Sequence, residues 1–135
     1  SGVVFFEWEE CDVKIVYMSL TGQTQKFVNK LEMDSLRITM DNAFQEINEP
    51  YIVIAPTYDI EVTEILNDFI ETGQNLTYLK GVCGSGNLNF NELYCFTAKD
   101  LAEAYNVPLL LTFEFQGNVN DVTIMKEKVN EIGPT

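Results

Sequence analysis

The chain has no histidine and a single arginine, Arg37, among its 135 residues. Without histidine it lacks the side chain most used as a general base near neutral pH and as a transition-metal ligand. Histidine-dependent catalysis and histidine-held metal centres are therefore excluded. Bases of all kinds are scarce: 8 lysines and arginines stand against 21 acids, a formal charge of −13. Such a surface repels phosphate backbones and anionic lipid, which argues against nucleic acid and membrane partners. Cysteine is limited to Cys11, Cys83 and Cys95, an odd number with no Cys-x-x-Cys spacing. These read as reduced thiols of a cytoplasmic protein, Cys83 and Cys95 serving as small packing residues. No apolar run reaches the roughly 20 residues of a membrane-spanning helix, and nothing reads as a basic-plus-apolar leader.

What the sequence does contain is enough apolar material for one core. Hydrophobic residues make up 46% of the chain, and its length matches the commonest domain size of about 100 to 150 residues. Residues 1–12 mix Val, Phe and Trp8 with four acids. They read as an N-terminal extension or a foreign segment, and residues 13–135 as the domain. From residue 13 a pattern repeats. Short apolar runs at 13–18, 36–39, 51–55, 79–83 and 107–113 have the composition of buried parallel strands, with Pro56 stopping the third and Pro108 near the start of the fifth. Between them, apolar residues recur at helical spacing. The sets are Phe27, Val28 and Leu31; Val62, Ile65, Leu66, Phe69 and Ile70; Leu93, Phe96, Leu101, Ala104 and Tyr105; and Val122, Met125, Val129 and Ile132. In the third helix Ala98 and Ala102 permit close approach. Gly73 is placed to end the second helix, Asn120 or Asp121 to begin the last, and Gly133-Pro134 to end it. Residues 40–50 are polar enough to be a connection. Strict strand-helix alternation predicts an α/β fold, a parallel sheet with helices on both faces.

Two of the predicted strand-to-helix junctions carry ligand-binding composition. Ser19-Leu20-Thr21-Gly22-Gln23-Thr24 joins the first strand to the first helix. Free backbone N–H groups and the positive helix end meet there, the hydroxyls of Ser19, Thr21 and Thr24 add donors, and Gly22 lets the backbone fold closely. The loop contains no cation, and it lacks both the Gly-Lys-Ser/Thr ending of a nucleoside-triphosphate loop and the G-x-G-x-x-G of a dinucleotide loop. It suits a monophosphate ester; a helix N-cap alone would also account for it. Gly84-Ser85-Gly86-Asn87-Leu88-Asn89-Phe90 follows the fourth strand. Two glycines, donor-acceptor side chains and an aromatic face suit the edge of a planar ring, with a polar turn as the plain reading. The third strand delivers Thr57-Tyr58-Asp59 to the same sheet edge, where open α/β sheets bind ligands.

Here the residues resemble a known family. Five strands in this length fit the flavodoxin-like three-layer sheet of order 2-1-3-4-5, and Ser19-x-Thr21-Gly22-x-Thr24 resembles the flavodoxin FMN phosphate loop. Residues 84–90, together with Ala98-Lys99-Asp100, Tyr105-Asn106-Val107-Pro108 and Phe113-Glu114-Phe115-x-Gly117, resemble one branch. That branch is the small flavodoxin-like activator of class Ib ribonucleotide reductase, and the likeness covers residues 13–132. It implies non-covalent FMN, which when reduced reacts with molecular oxygen. The superoxide or related oxidant passes to the radical-bearing small subunit, where a dimanganese centre is oxidised and the tyrosyl radical forms. It also implies an electron donor to FMN and no metal held by this chain. Carried over by position, Ser19, Leu20, Thr21, Gly22, Gln23 and Thr24 hold phosphate. Thr57, Tyr58, Asp59, Gly84, Ser85, Gly86, Asn87, Asn89 and Phe90 surround the ring, which supplies the chemistry itself.

Two departures stand out. Many relatives have a glycine-rich third-strand loop, whereas this chain has Thr57-Tyr58-Asp59-Ile60-Glu61, whose carboxylates disfavour added negative charge on a nearby flavin. Leu88 and Asn91 replace a basic residue and a glycine often found in relatives. Among alternatives, an electron-transfer flavodoxin would bind FMN in the same crevice and pass single electrons to a redox partner. A phospho-receiver domain needs an acidic pair after the first strand and a lysine after the fifth. The chain offers Tyr17-Met18-Ser19 and Thr112-Phe113-Glu114 instead. A flavin-free interaction module is the remaining alternative.

Overall fold

A computed structural model describes residues 13–19, 22–56, 60–86, 96–114 and 116–132, apart from the side chains at 60–63, 96 and 132. The strands are β1 (Lys14–Tyr17), β2 (Ser35–Arg37), β3 (Tyr51–Pro56), β4 (Leu79–Gly86) and β5 (Leu109–Glu114). They form one parallel sheet in the order β2-β1-β3-β4-β5, as expected. The helices are α1 (Gln23–Leu31), α2 (Ile60–Ile70), a short α3 (Asn75–Tyr78), α4 (Phe96–Tyr105) and α5 (Val119–Ile132).

Alternate residues of the central strands enter different cores, so the strands read as unbroken apolar runs. Ile15, Tyr17, Ile52, Ile54 and Cys83 pack with Phe27, Val28, Leu31, Met125 and Val129 of α1 and α5. Val16, Met18, Val53, Ala55 and Val82 pack with Leu66, Phe69, Ile70, Ala98 and Leu101 of α2 and α4. Every residue of β3 is buried, as befits the middle strand, whereas the edge strands β2 and β5 are largely half-buried or exposed. Ala104, expected in the core, is exposed.

Several boundaries differ from the sequence expectation for physical reasons. β2 covers residues 35–37 rather than 36–39, because Asn42 Oδ1 accepts the Thr39 N–H at 2.7 Å and turns the chain. β3 runs through Pro56, which pairs with Ser85; proline lacks a donor but keeps its carbonyl, so it can close a strand. β5 starts at Leu109 because Val107 belongs to the end of α4. There the Asn106 N–H bonds the Glu103 carbonyl at 3.3 Å and the Val107 N–H bonds the Ala102 carbonyl at 3.1 Å. With Asn106 at φ 56 this is a Schellman cap. α5 begins at Val119, earlier than expected, behind a reciprocal cap. Asn118 Oδ1 accepts the Asp121 N–H at 2.9 Å, and Asp121 Oδ2 accepts the Asn118 N–H at 3.0 Å. α2 ends at Ile70, and Gly73 follows in the left-handed region at φ 53.

Candidate functional site

The strand order places β1 between β2 and β3, and the connections that leave β1 (through α1 to β2) and β3 (through α2 to β4) run to opposite sides. A crevice outside the carboxyl ends of β1 and β3 follows from that reversal. The carboxyl ends of β1 and β4 lead there to two described parts of the expected site: Ser19 with residues 22–24, and Gly84, Ser85 and Gly86.

Ser19 is 3% exposed, and its hydroxyl oxygen accepts the Gln25 N–H at 3.2 Å. It therefore caps the first turn of α1, and among the described residues no hydrogen bond takes up its own proton. Gly22 occupies the N-cap position at φ 93, a conformation that strains any L side chain, and no described atom lies within 4 Å of where a Cβ would stand. The Gly22 carbonyl accepts the Lys26 N–H at 3.1 Å. The N–H groups of Gln23 and Thr24 thus sit at the positive end of a nine-residue helix with no acid in its first turn. The Gln23 amide oxygen is buried and has no hydrogen-bond partner among the described residues. An amide turned over would present its NH2 there instead, a donor matched to a phosphate or hydroxyl oxygen. This donor-rich, acid-free turn fits a bound phosphate ester.

Thr24 joins this turn to the second part of the site. Its Oγ1 lies 3.2 Å from Ser85 Oγ, and both residues are buried. Gly84, Ser85 and Gly86, read from sequence as the start of a loop, are strand. They pair with Ala55 and Pro56 of β3 on one side and with Thr112, Phe113 and Glu114 of β5 on the other. Two flanking ladders extend a segment whose glycines locally suggest a turn.

Sequence reasoning missed one side chain at this site. Arg37, at the end of β2, donates from Nη2 to the Ser19 carbonyl at 2.7 Å. No cation lies within residues 19–24 themselves, yet the fold brings the single arginine to them. The available signal was its position at the end of the strand flanking β1. Of the remaining expected site residues, Leu20, Thr21, Thr57, Tyr58, Asp59, Asn87, Asn89 and Phe90 lie outside the described residues, as do Cys11, Cys95, Leu88 and Asn91. Among the described residues no group of acids or cysteines could hold a metal ion, and no helix is long and apolar enough to cross a membrane.

Two of the motifs behind the family resemblance have structural roles. Tyr105-Asn106-Val107-Pro108 is the Schellman exit of α4, and the Pro108 carbonyl accepts the Val82 N–H at 3.0 Å. In Phe113-Glu114-Phe115-x-Gly117, Phe113 stacks on Phe27 with ring centroids 4.0 Å apart. Gly117, at φ 71, turns so close to Phe27 that an added Cβ would lie 2.6 Å from its ring.

The sheet order defines the flavodoxin-like fold class, with the turn after β1 at its ligand-binding edge. Solved structures agree on the fold. A short-chain flavodoxin associated with a non-canonical PDU bacterial microcompartment aligns at TM-score 0.65 and 15% identity, over 89% of this chain and 95% of that one. The flavodoxin of Streptococcus pneumonia TIGR4 aligns at TM-score 0.57 and 22% identity, over 89% and 95%. Two-electron reduced Megasphaera elsdenii flavodoxin aligns at TM-score 0.55 and 20% identity, over 88% and 98%. The family model described as NrdI flavodoxin-like matches residues 15–127. The chain therefore belongs to the NrdI flavodoxin-like family, flavodoxins that activate class Ib ribonucleotide reductase.

Proposed function

We propose that this chain binds one FMN non-covalently, with its phosphate at residues 19–24 and its ring between residues 57–59 and 84–90. The observation that carries this reading is the meeting of Ser19, the first turn of α1 and Ser85 at one sheet edge, joined by the Thr24–Ser85 contact at 3.2 Å. The Ser19 hydroxyl, the Gln23 and Thr24 N–H groups and the Gln23 amide orient the phosphate. Gly22 keeps the approach open. Thr24 and Ser85 hold the phosphate end and the ring end in fixed relation. Asp59 and Glu61 bias a nearby flavin against added negative charge. The chemistry supplied by the reduced cofactor is electron transfer to molecular oxygen, the superoxide or related oxidant serving the dimanganese centre of the small subunit so that its tyrosyl radical forms. The small subunit, oxygen and an electron donor are the partners in this reading, and the setting is cytoplasmic.

The test is reconstitution. The chain loaded with FMN is reduced anaerobically, mixed with the manganese-loaded small subunit and exposed to oxygen, and tyrosyl radical is quantified by electron paramagnetic resonance. Radical yield well above that from free reduced FMN is expected. Failure to retain FMN rejects the flavoprotein reading. Oxygen consumption with no radical gain over free flavin rejects the activator mechanism and favours single-electron transfer.

A further inference from the structure

We propose that Arg37 is a positioning residue for the phosphate-binding turn, holding the Ser19 backbone in place and bringing a positive charge to a dianionic ligand. The identity of that ligand rests on the FMN reading above; the tether does not. Arg37 is the single arginine of a chain with formal charge −13. Its backbone is fixed on both sides: Tyr17 is its partner across the β1–β2 ladder, the Ile38 N–H bonds the Tyr17 carbonyl at 2.8 Å, and Asn42 Nδ2 bonds the Arg37 carbonyl at 2.9 Å. From that anchored position the side chain reaches the Ser19 carbonyl at 2.7 Å.

The choice of Ser19 is what gives this contact meaning. The same residue caps α1 through its hydroxyl oxygen at 3.2 Å from the Gln25 nitrogen. Ser19 is thus gripped at its carbonyl from β2 and at its side chain from α1. Its carbonyl, a partial negative charge at the mouth of an anion site, is engaged by a cation, and such charge-assisted bonds are the stronger kind. Among the described residues Arg37 has no carboxylate partner; the ion pair found there joins Lys14 and Glu49. A guanidinium carries five N–H donors, so among the described residues its charge and further donors stay available beside the turn. In a strongly acidic molecule, a cation with no carboxylate partner among the described residues is the natural counterweight to repulsion of a phosphate.

The test compares the full chain with R37M, which keeps an apolar stem but removes donor and charge, and R37K, which restores charge without the planar fork. FMN and riboflavin affinities are measured by flavin fluorescence at low and high salt, and Gln25 amide exchange is followed without flavin. R37M should weaken FMN about ten-fold, the scale of one charge-assisted hydrogen bond, while leaving riboflavin, which lacks the phosphate, nearly unchanged. The salt dependence of FMN binding should flatten in R37M, and Gln25 exchange should accelerate. R37K should recover part of the FMN affinity. Unchanged FMN affinity in R37M, or equal losses for FMN and riboflavin, overturns the proposal. A wild-type chain that binds neither flavin rejects the FMN reading, and the Gln25 exchange rate then decides by itself whether Arg37 holds the turn.

Discussion

Cys83 lies on β4 next to Gly84, fully buried, with its Sγ 3.4 Å from Met125 Sδ. Burial pushes its thiol up to about 12 from 9.0, and a backbone hydrogen bond at Leu111 opposes the shift. Because the folded-state value is raised, the contribution of the neutral thiol is fully present below about pH 9 and is lost as pH rises toward 12. Denaturant titrations from pH 8 upward should therefore show wild type losing stability more steeply than C83A, by up to about 1.4 kcal/mol per pH unit. The Tyr51 phenol, also pushed up by burial, contributes to both proteins and cancels in the comparison. At the site, Thr24→Val removes the hydroxyl contact with Ser85. It should cost about 1 kcal/mol in urea unfolding, the usual net worth of one such bond. None of these partnerships shows in local sequence. Cys83 reads correctly as a packing residue, but Thr24 and Ser85 stand 61 positions apart.

At the scale of elements, the connection from β2 to β3 shows how an irregular segment is held. Buried Asn75 in α3 donates to the Gln45 and Phe69 carbonyls, each at 2.8 Å, and accepts the Ile47 N–H at 3.1 Å. Asn75→Ala strands three backbone groups and should lower stability by about 2–4 kcal/mol, measured by chemical denaturation. The β5–α5 turn is tied down differently. Lys30 of α1 reaches the Gln116 and Gly117 carbonyls at 3.4 and 3.3 Å. Gly117→Ala both strains the left-handed backbone and drives a Cβ into Phe27. A loss of about 2–3 kcal/mol, seen as a lower Tm, is expected. Apolar periodicity revealed the long helices because it is a local property. The strand character of residues 84–86 comes from ladders on both sides, so glycine there pointed to a loop.

For the whole molecule, charge and cofactor act on the same equilibrium. A formal charge of −13 makes the compact state repel itself, so added salt should raise the Tm of the flavin-free chain. FMN should stabilise further by mass action, about 2.7 kcal/mol at one hundred times its dissociation constant. Riboflavin, without the phosphate, should stabilise less at equal concentration. A thermal series in salt, FMN and riboflavin separates these effects, and equal shifts from both flavins would contradict phosphate anchoring at residues 19–24.

The sequence alone determined the alternation of strands and helices, the apolar faces of the helices and the polar turn after β1. Each is encoded in residues within a turn or two of one another. It also carried the family likeness, part of which proves to be structural punctuation at Asn106, Pro108 and Gly117. Tertiary structure alone decided how far β4 extends, that Thr24 meets Ser85, and that Arg37 reaches the Ser19 carbonyl. Those contacts join separate strands and helices, and only the folded sheet order brings them within hydrogen-bond distance.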